Sequence, residues 1–127
     1  MNGPTDLGTA ERQLTALHAL ERLGRDRDGH ALLRVRCGRG HRVATVFATT
    51  LGAVYESRVG GHAHGRRDFV DEPHRTERHG RRYIDLLAGD RFAADRLPAS
   101  CECGPHELSR ADLRRAVGAH QRLVQLV

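Results

Sequence analysis

The sequence predicts an α+β fold: a small antiparallel sheet, preceded by an N-terminal helix and covered on one face by a C-terminal helix. Three observations carry that expectation. Apolar residues recur at helical intervals over residues 9–23 and again from 109 onward. They alternate at the period of strands between Ala31 and Tyr55. Cysteine and histidine gather in two glycine-containing turns, Cys37-Gly-Arg-Gly-His41 and Cys101-Glu-Cys103-Gly-Pro-His106. At 127 residues the length suits one core, with residues 1–29 reading as tail, helix and linker and residues 30–127 as the folded domain. That core is poor in aromatics, with no tryptophan, three phenylalanines and two tyrosines, so a staple of another kind is expected.

The elements follow in order. Residues 1–8 hold Gly3, Pro4 and Gly8 and read as a disordered start. A helix over 9–23 has Thr9 as N-cap and Gly24 as its C-terminal stop. Its leucines at 14, 17, 20 and 23 are spaced by threes, so the apolar stripe drifts around the helix and suits docking on a partner protein. The charged run 25–29 is a turn or linker. Leu33, Val35 and Cys37 then alternate against Arg34 and Arg36, and Val43 and residues 45–47 follow the glycine turn, which makes a hairpin with the first Cys/His cluster at its tip. A third strand passes through residues 53–55. Residues 56–82 form a polar insertion rich in arginine, acids and histidine, either a long exposed hairpin or an unstructured excursion. Residues 83–87 return to a strand or short helix. Ser109 opens the C-terminal helix with Asp112 in the fourth place of a capping box, and Leu113, Ala116, Val117, His120, Leu123, Val124 and Val127 keep helical spacing to the end. Arg110, Arg114, Arg115 and Arg122 fall on its opposite, solvated face.

The two clusters supply the donors of one zinc ion. Structural zinc takes four tetrahedral ligands from thiolate and imidazole, and Cys37, His41, Cys101 and Cys103 form such a Cys₃His set. Glycine in each turn allows the backbone to fold tightly enough to aim its N–H groups at the thiolates. The C-x₃-H and C-x-C spacings depart from the usual C-x₂₋₄-C. His106 is the alternative ligand through Cys103-x₂-His106, although Pro105 and the helix start turn it outward in this reading. The competing view makes Cys37 a core thiol and His41 a turn residue. An odd count of three cysteines favours metal over disulfide in a reducing compartment. A second constellation, His62-Ala63-His64 with His74 or His79 and with Asp68, Asp71 or Glu72, could hold another metal and hydrolyse a substrate, but nothing near it in sequence would fix the ligands.

At the four ligands the chain resembles zinc-ribbon proteins, and more narrowly small uncharacterised actinobacterial proteins with a CRxGH-like motif, a later CxCG-like motif and a C-terminal helix. The resemblance covers about residues 32–118 and implies the ligand set Cys37, His41, Cys101 and Cys103 in a zinc-ribbon-like domain. It implies no activity, and segment 56–82 departs from it.

The formal charge is +5, and all 21 basic residues are arginine. Codon composition alone explains that usage, while arginine forks also suit phosphate. Placement says more: between Leu32 and Thr50 stand Arg34, Arg36, Arg39 and Arg42 without an acid. That strip predicts a non-enzymatic protein contacting nucleic acid through its basic hairpin, with Arg66, Arg67, Arg81 and Arg82 as further contacts. A protein–protein adaptor using the N-terminal helix is the alternative. No apolar run suggests a leader or a membrane span, so a cytoplasmic protein without a membrane partner is expected.

Overall fold

A five-stranded sheet lies at the centre of the computed structural model, which describes residues 3–60, 81–90 and 93–127. In chain order the elements are helix α1 (Gly3–Glu21), a 3₁₀ turn (Gly24–His30), strands β1 (Ala31–Arg36), β2 (Arg42–Thr49), β3 (Gly52–Val59), β4 (Arg81–Leu86), β5 (Arg96–Cys101) and β6 (Gly104–Ser109), helix α2 (Arg110–Gly118) and strand β7 (Leu123–Gln125). The large sheet runs β4-β3-β2-β1-β7, antiparallel except that β7 joins β1 in parallel; β5 and β6 pair as a separate two-stranded sheet. The expected α+β class with an N-terminal helix holds, and β7 makes the sheet mixed where an antiparallel one is expected. No helix among the described residues is long and apolar enough to cross a membrane.

Alternation along the strands divides the large sheet into two faces. One carries Leu33, Val35, Ala44, Val46 and Tyr55, and packs against Leu97, Ala99 and Leu108 of the β5–β6 hairpin and Leu113 and Ala116 of α2. Tyr83 meets Tyr55 edge-on, with ring centroids 6.1 Å apart. The other face carries Phe47, Val54 and Ile84 beneath α1. The helix contacts them through Ala16, Ala19 and Leu20, an i, i+3, i+4 set, and Leu17 and Leu23 of the leucine stripe pack half-buried against the same cluster. Leu14 of that stripe stays 54% exposed. The helix also starts earlier than expected, at Gly3, and the run 25–29 winds into the 3₁₀ turn.

The C-terminus departs from its helical spacing. Helix α2 stops at Gly118, His120 takes a left-handed φ of 62°, and residues 123–125 become a strand. β1 explains the switch, because without β7 its backbone N–H and C=O groups would form an open edge. The Arg34 N–H donates to the Arg122 carbonyl at 3.0 Å and the Leu126 N–H to the Arg36 carbonyl at 2.7 Å. Val124 and Leu126 now pack on the core at a period of two, while Leu123 and Val127 point to solvent.

Arg110 is also corrected. It is 4% exposed, and its guanidinium lies 3.0 Å from the buried Asp85 carboxylate while donating to the carbonyls of Leu86 at 2.5 Å and Ala94 at 2.8 Å. It is the first residue of α2, just after the Ser109 cap whose hydroxyl accepts from the Asp112 N–H, so it points back along the sheet instead of joining the outer face. Arg12 of α1 reaches the other Asp85 oxygen at 3.5 Å.

Within the expected insertion 56–82, residues 56–59 extend β3 and residues 81–82 open β4, paired from Glu56↔Ile84 to Val59↔Arg81. His62, His64, His74, His79, Asp68, Asp71 and Glu72, with Arg66 and Arg67, lie outside the described residues.

Candidate metal centre and the adjoining basic face

Two turns meet at one end of the molecule. The first joins β1 to β2. Its backbone closes through the Cys37 N–H to the His41 carbonyl at 3.0 Å and the Gly40 N–H to the Cys37 carbonyl at 2.8 Å, with Gly40 at φ +87°, a conformation side chains resist. The second joins β5 to β6, with Gly104 at φ +126°. The β7 segment braces the first turn: Gln125 donates to the Cys37 carbonyl at 3.4 Å, and a Cβ on Gly38 would come within 3.4 Å of the Leu126 carbonyl oxygen.

The packing of the hairpin layer on the sheet brings Cys37, His41, Cys101 and Cys103 together, with one donor atom from each inside a set whose members all lie within 4.8 Å of one another. The individual spacings are those of tetrahedral edges. Bond lengths of about 2.3 Å to sulfur and 2.0–2.1 Å to nitrogen give edges of about 3.8 Å between two sulfurs and about 3.6 Å between sulfur and nitrogen. Cys37 Sγ lies 3.9 Å from Cys103 Sγ, and His41 Nδ1 lies 3.4 Å from each of those sulfurs. The cluster is therefore suited to hold a metal ion.

Its surroundings favour a thiolate at Cys37. Burial works to raise the Cys37 thiol, but the N–H groups of Arg39 and His41 and the neighbouring thiols outweigh it and bring it down to about 6. Arg39 N lies 3.3 Å from Cys37 Sγ, and Cys103 N stands at the same distance from Cys101 Sγ. Cys101 moves the other way, pushed up by burial and by the charge of Cys37 and Cys103. A cation among the three sulfurs would relieve that mutual repulsion.

Two residues complete the picture. Glu102 stands between the two second-turn cysteines and brings Oε1 to 3.5 Å from His41 Nε2. A carboxylate on the distal nitrogen fixes the ring with Nδ1 toward the sulfurs. Sequence reasoning passed over Glu102, although its place in Cys-Glu-Cys was a visible signal. His106 is not in the four-donor cluster, nor does it turn outward: its Nε2 lies 3.1 Å from Cys101 Sγ. Alternation on β6 decides this, because Leu108 is buried and His106, two residues before it, faces the same side while Pro105 faces solvent.

No family model matches the chain, and no curated protein or solved structure matches it either.

The arginine strip divides in three dimensions. Arg39 is exposed at the tip of the first turn, beside His41, Glu102 and Cys103. Arg36 folds back to donate to the Gly40 carbonyl at 3.0 Å. Arg34 and Arg42 instead line a groove of about 190 Å³ with Arg27, Asp28, Arg58, Thr45, Phe47 and Glu56. The register explains the company, since Arg34 stands beside Thr45 and Thr45 beside Glu56 across β1, β2 and β3. The strip is free of acids in sequence but not in space. Glu56 is nevertheless engaged, 2.8 Å from Arg82 and 3.7 Å from Arg27, whose guanidinium also lies 5.5 Å from the Phe47 ring centre. Arg27 and Arg58, absent from the linear strip, join this face through the fold.

Proposed function

We propose that the chain is a non-enzymatic zinc protein in which one ion ties the β1–β2 turn to the β5–β6 turn, and that the rigid frame so formed contacts nucleic acid through its arginine-bearing face. The observation that carries the reading is the convergence of Cys37, His41, Cys101 and Cys103. Zinc is favoured over other ions by three soft sulfurs, an imidazole nitrogen and spacings of tetrahedral size. Four protein donors leave no open position for water or substrate, which supports a structural role over hydrolysis. The resemblance to zinc-ribbon proteins points the same way.

Support for the nucleic-acid part is the placement of Arg34, Arg39 and Arg42 on the exposed side of the same turn and strands. An adaptor role through α1 has the exposed Leu14 in its favour, but Ala16, Ala19 and Leu20 are already covered by the protein's own sheet. Elemental analysis of the purified protein should give one zinc per chain, and binding to duplex DNA should weaken with salt with a slope of roughly 3 to 4, one unit per phosphate neutralised. Metal-free protein that folds natively would overturn the first part, and absence of DNA and RNA binding at about 50 mM salt would overturn the second in favour of the adaptor.

A further inference from the structure

The groove between β1, β2, β3 and the 3₁₀ turn holds cationic and hydroxyl groups that the fold itself does not use. Among the described residues, the guanidinium groups of Arg34, Arg42 and Arg58 have no carboxylate partner. The Thr45 hydroxyl has no hydrogen-bond partner among them either, although Thr45 is only 8% exposed. Buried hydroxyls are ordinarily satisfied, because leaving one unpaired costs about 1–3 kcal/mol. The neighbouring buried hydroxyl follows the rule, with Ser57 donating to the Pro98 carbonyl at 2.7 Å. Thr45 is therefore an exception lying under a set of unneutralised arginines; of the two acids that line the groove, Glu56 is already held by Arg82 and Arg27, and Asp28 is outnumbered by Arg34, Arg42 and Arg58.

We propose that this groove is a phosphate-binding site in which Arg34, Arg42 and Arg58 surround one phosphoryl group and the Thr45 hydroxyl donates to it. Arginine presents paired N–H donors to phosphate oxygens, and a hydroxyl donor beneath them supplies the polar floor. At about 190 Å³ the groove is smaller than the ~300 Å³ at which sites for whole small molecules begin. It admits a phosphate that belongs to something lying across the surface. The occupant we assign is a phosphodiester of the nucleic-acid backbone, so the inference deepens the nucleic-acid reading and moves its anchor from the tip of the turn to the sheet face. A free phosphate offers the same chemistry and is the second arm of the test.

The zinc-loaded full chain, labelled with ¹⁵N, is titrated with inorganic phosphate and, separately, with a short DNA duplex. Wild type is compared with Thr45→Val, with Arg34→Gln/Arg58→Gln, and with Arg39→Ala as a variant outside the groove. Melting temperature and zinc content establish that each is folded. The expected result is that both titrants shift the amide resonances of Arg34, Thr45 and Arg58. Duplex affinity should fall about tenfold or more for each groove arginine lost, and measurably in Thr45→Val without any loss of melting temperature, since that change only removes an unpaired hydroxyl. Arg39→Ala should have the smaller effect. Duplex binding that is equal in wild type and both groove variants overturns the groove and leaves nucleic-acid binding standing. Groove resonances that shift with phosphate while the duplex fails to bind uphold the site for a small phosphorylated ligand and remove nucleic acid as its source. Absence of a shift at Thr45 with either titrant overturns the proposal.

Discussion

The β5–β6 hairpin is held at both ends, and by different chemistry. Two strands with one short turn are marginal in water without further support. At the turn, Cys101 and Cys103 meet Cys37 and His41 in a partly exposed cluster. At the open end, Arg110 and Asp85 form an ion pair, each with a side chain about 5% exposed or less, extended by Arg12. Between the ends, Tyr55 and Ser57 both donate to the Pro98 carbonyl, at 2.9 and 2.7 Å. The ion pair needs nothing from outside the chain but gives little net stability, since desolvation offsets most of the attraction. The cysteine end gains its strength only from a bound cation, whose binding energy would then add to folding. One end is conditional and the other is constitutive.

Removing the metal should break the comparison most severely. With the proposed zinc in place, chelation or Cys101→Ser should cost about 5 kcal/mol or more and free the β5–β6 turn, because metal binding energy is folding energy in a site built from distant segments. Hydrogen exchange should show protection lost around residues 97–108 while α1 and β4 stay protected; uniform protection would show that the metal end contributes little.

Arg110→Ala attacks the other end. It leaves the buried Asp85 with Arg12 as its remaining cation, at 3.5 Å, so a loss of about 3 kcal/mol in denaturant unfolding is expected, with metal stoichiometry unchanged. A change below about 1 kcal/mol would mean that water replaces the guanidinium at that end.

Glu102→Gln sharpens the account of the metal end. Loss of a carboxylate from the distal nitrogen of a ligating histidine weakens metal about 10- to 100-fold, and the exposure of Glu102 argues for the lower bound. Competition with a chromophoric chelator measures it, and melting at saturating zinc should hardly move.

The smallest effect concerns acid. The carboxyl of Asp95 lies below its usual range, chiefly because the Ala111 N–H donates to it at 3.0 Å and the Ser109 hydroxyl faces it. A carboxyl depressed in the folded state stabilises fully above its ordinary value and loses that stabilisation as pH falls through the folded value. Melting curves from pH 6 down to pH 2 should therefore decline less steeply in Asp95→Asn, and identical slopes would remove Asp95 from the acid response.

The cluster of four candidate metal donors was legible in sequence because its chemistry is local. Cysteines beside glycine in tight turns suit metal ligation, and the matching number of donors ties the clusters together. Pro105 favours an outward His106, but strand alternation overrides it, and strand β6 is not visible in a segment as polar as 104–107. Arg110 was misread for a related reason. Helical spacing assigns a face only within the helix, and the first residue of a helix points where its neighbours leave room. The segment 120–127 fits both periods, and the open edge of β1 decided between them.

From residue types and spacing alone came the α+β class, the hairpin with its cysteine knuckle, the cap at Ser109 and the four donors. These rest on interactions within a few residues or on chemistry that identifies itself. Only the tertiary structure decided which cations are free and which are committed. Arg36 is spent on its own turn, Arg110 on a buried carboxylate and Arg82 on Glu56, whereas Arg34, Arg42 and Arg58 are brought around an unsatisfied threonine from three strands. Charge is written in the sequence, but neutralisation depends on distances between residues far apart in the chain, and those are fixed only when the strands pair.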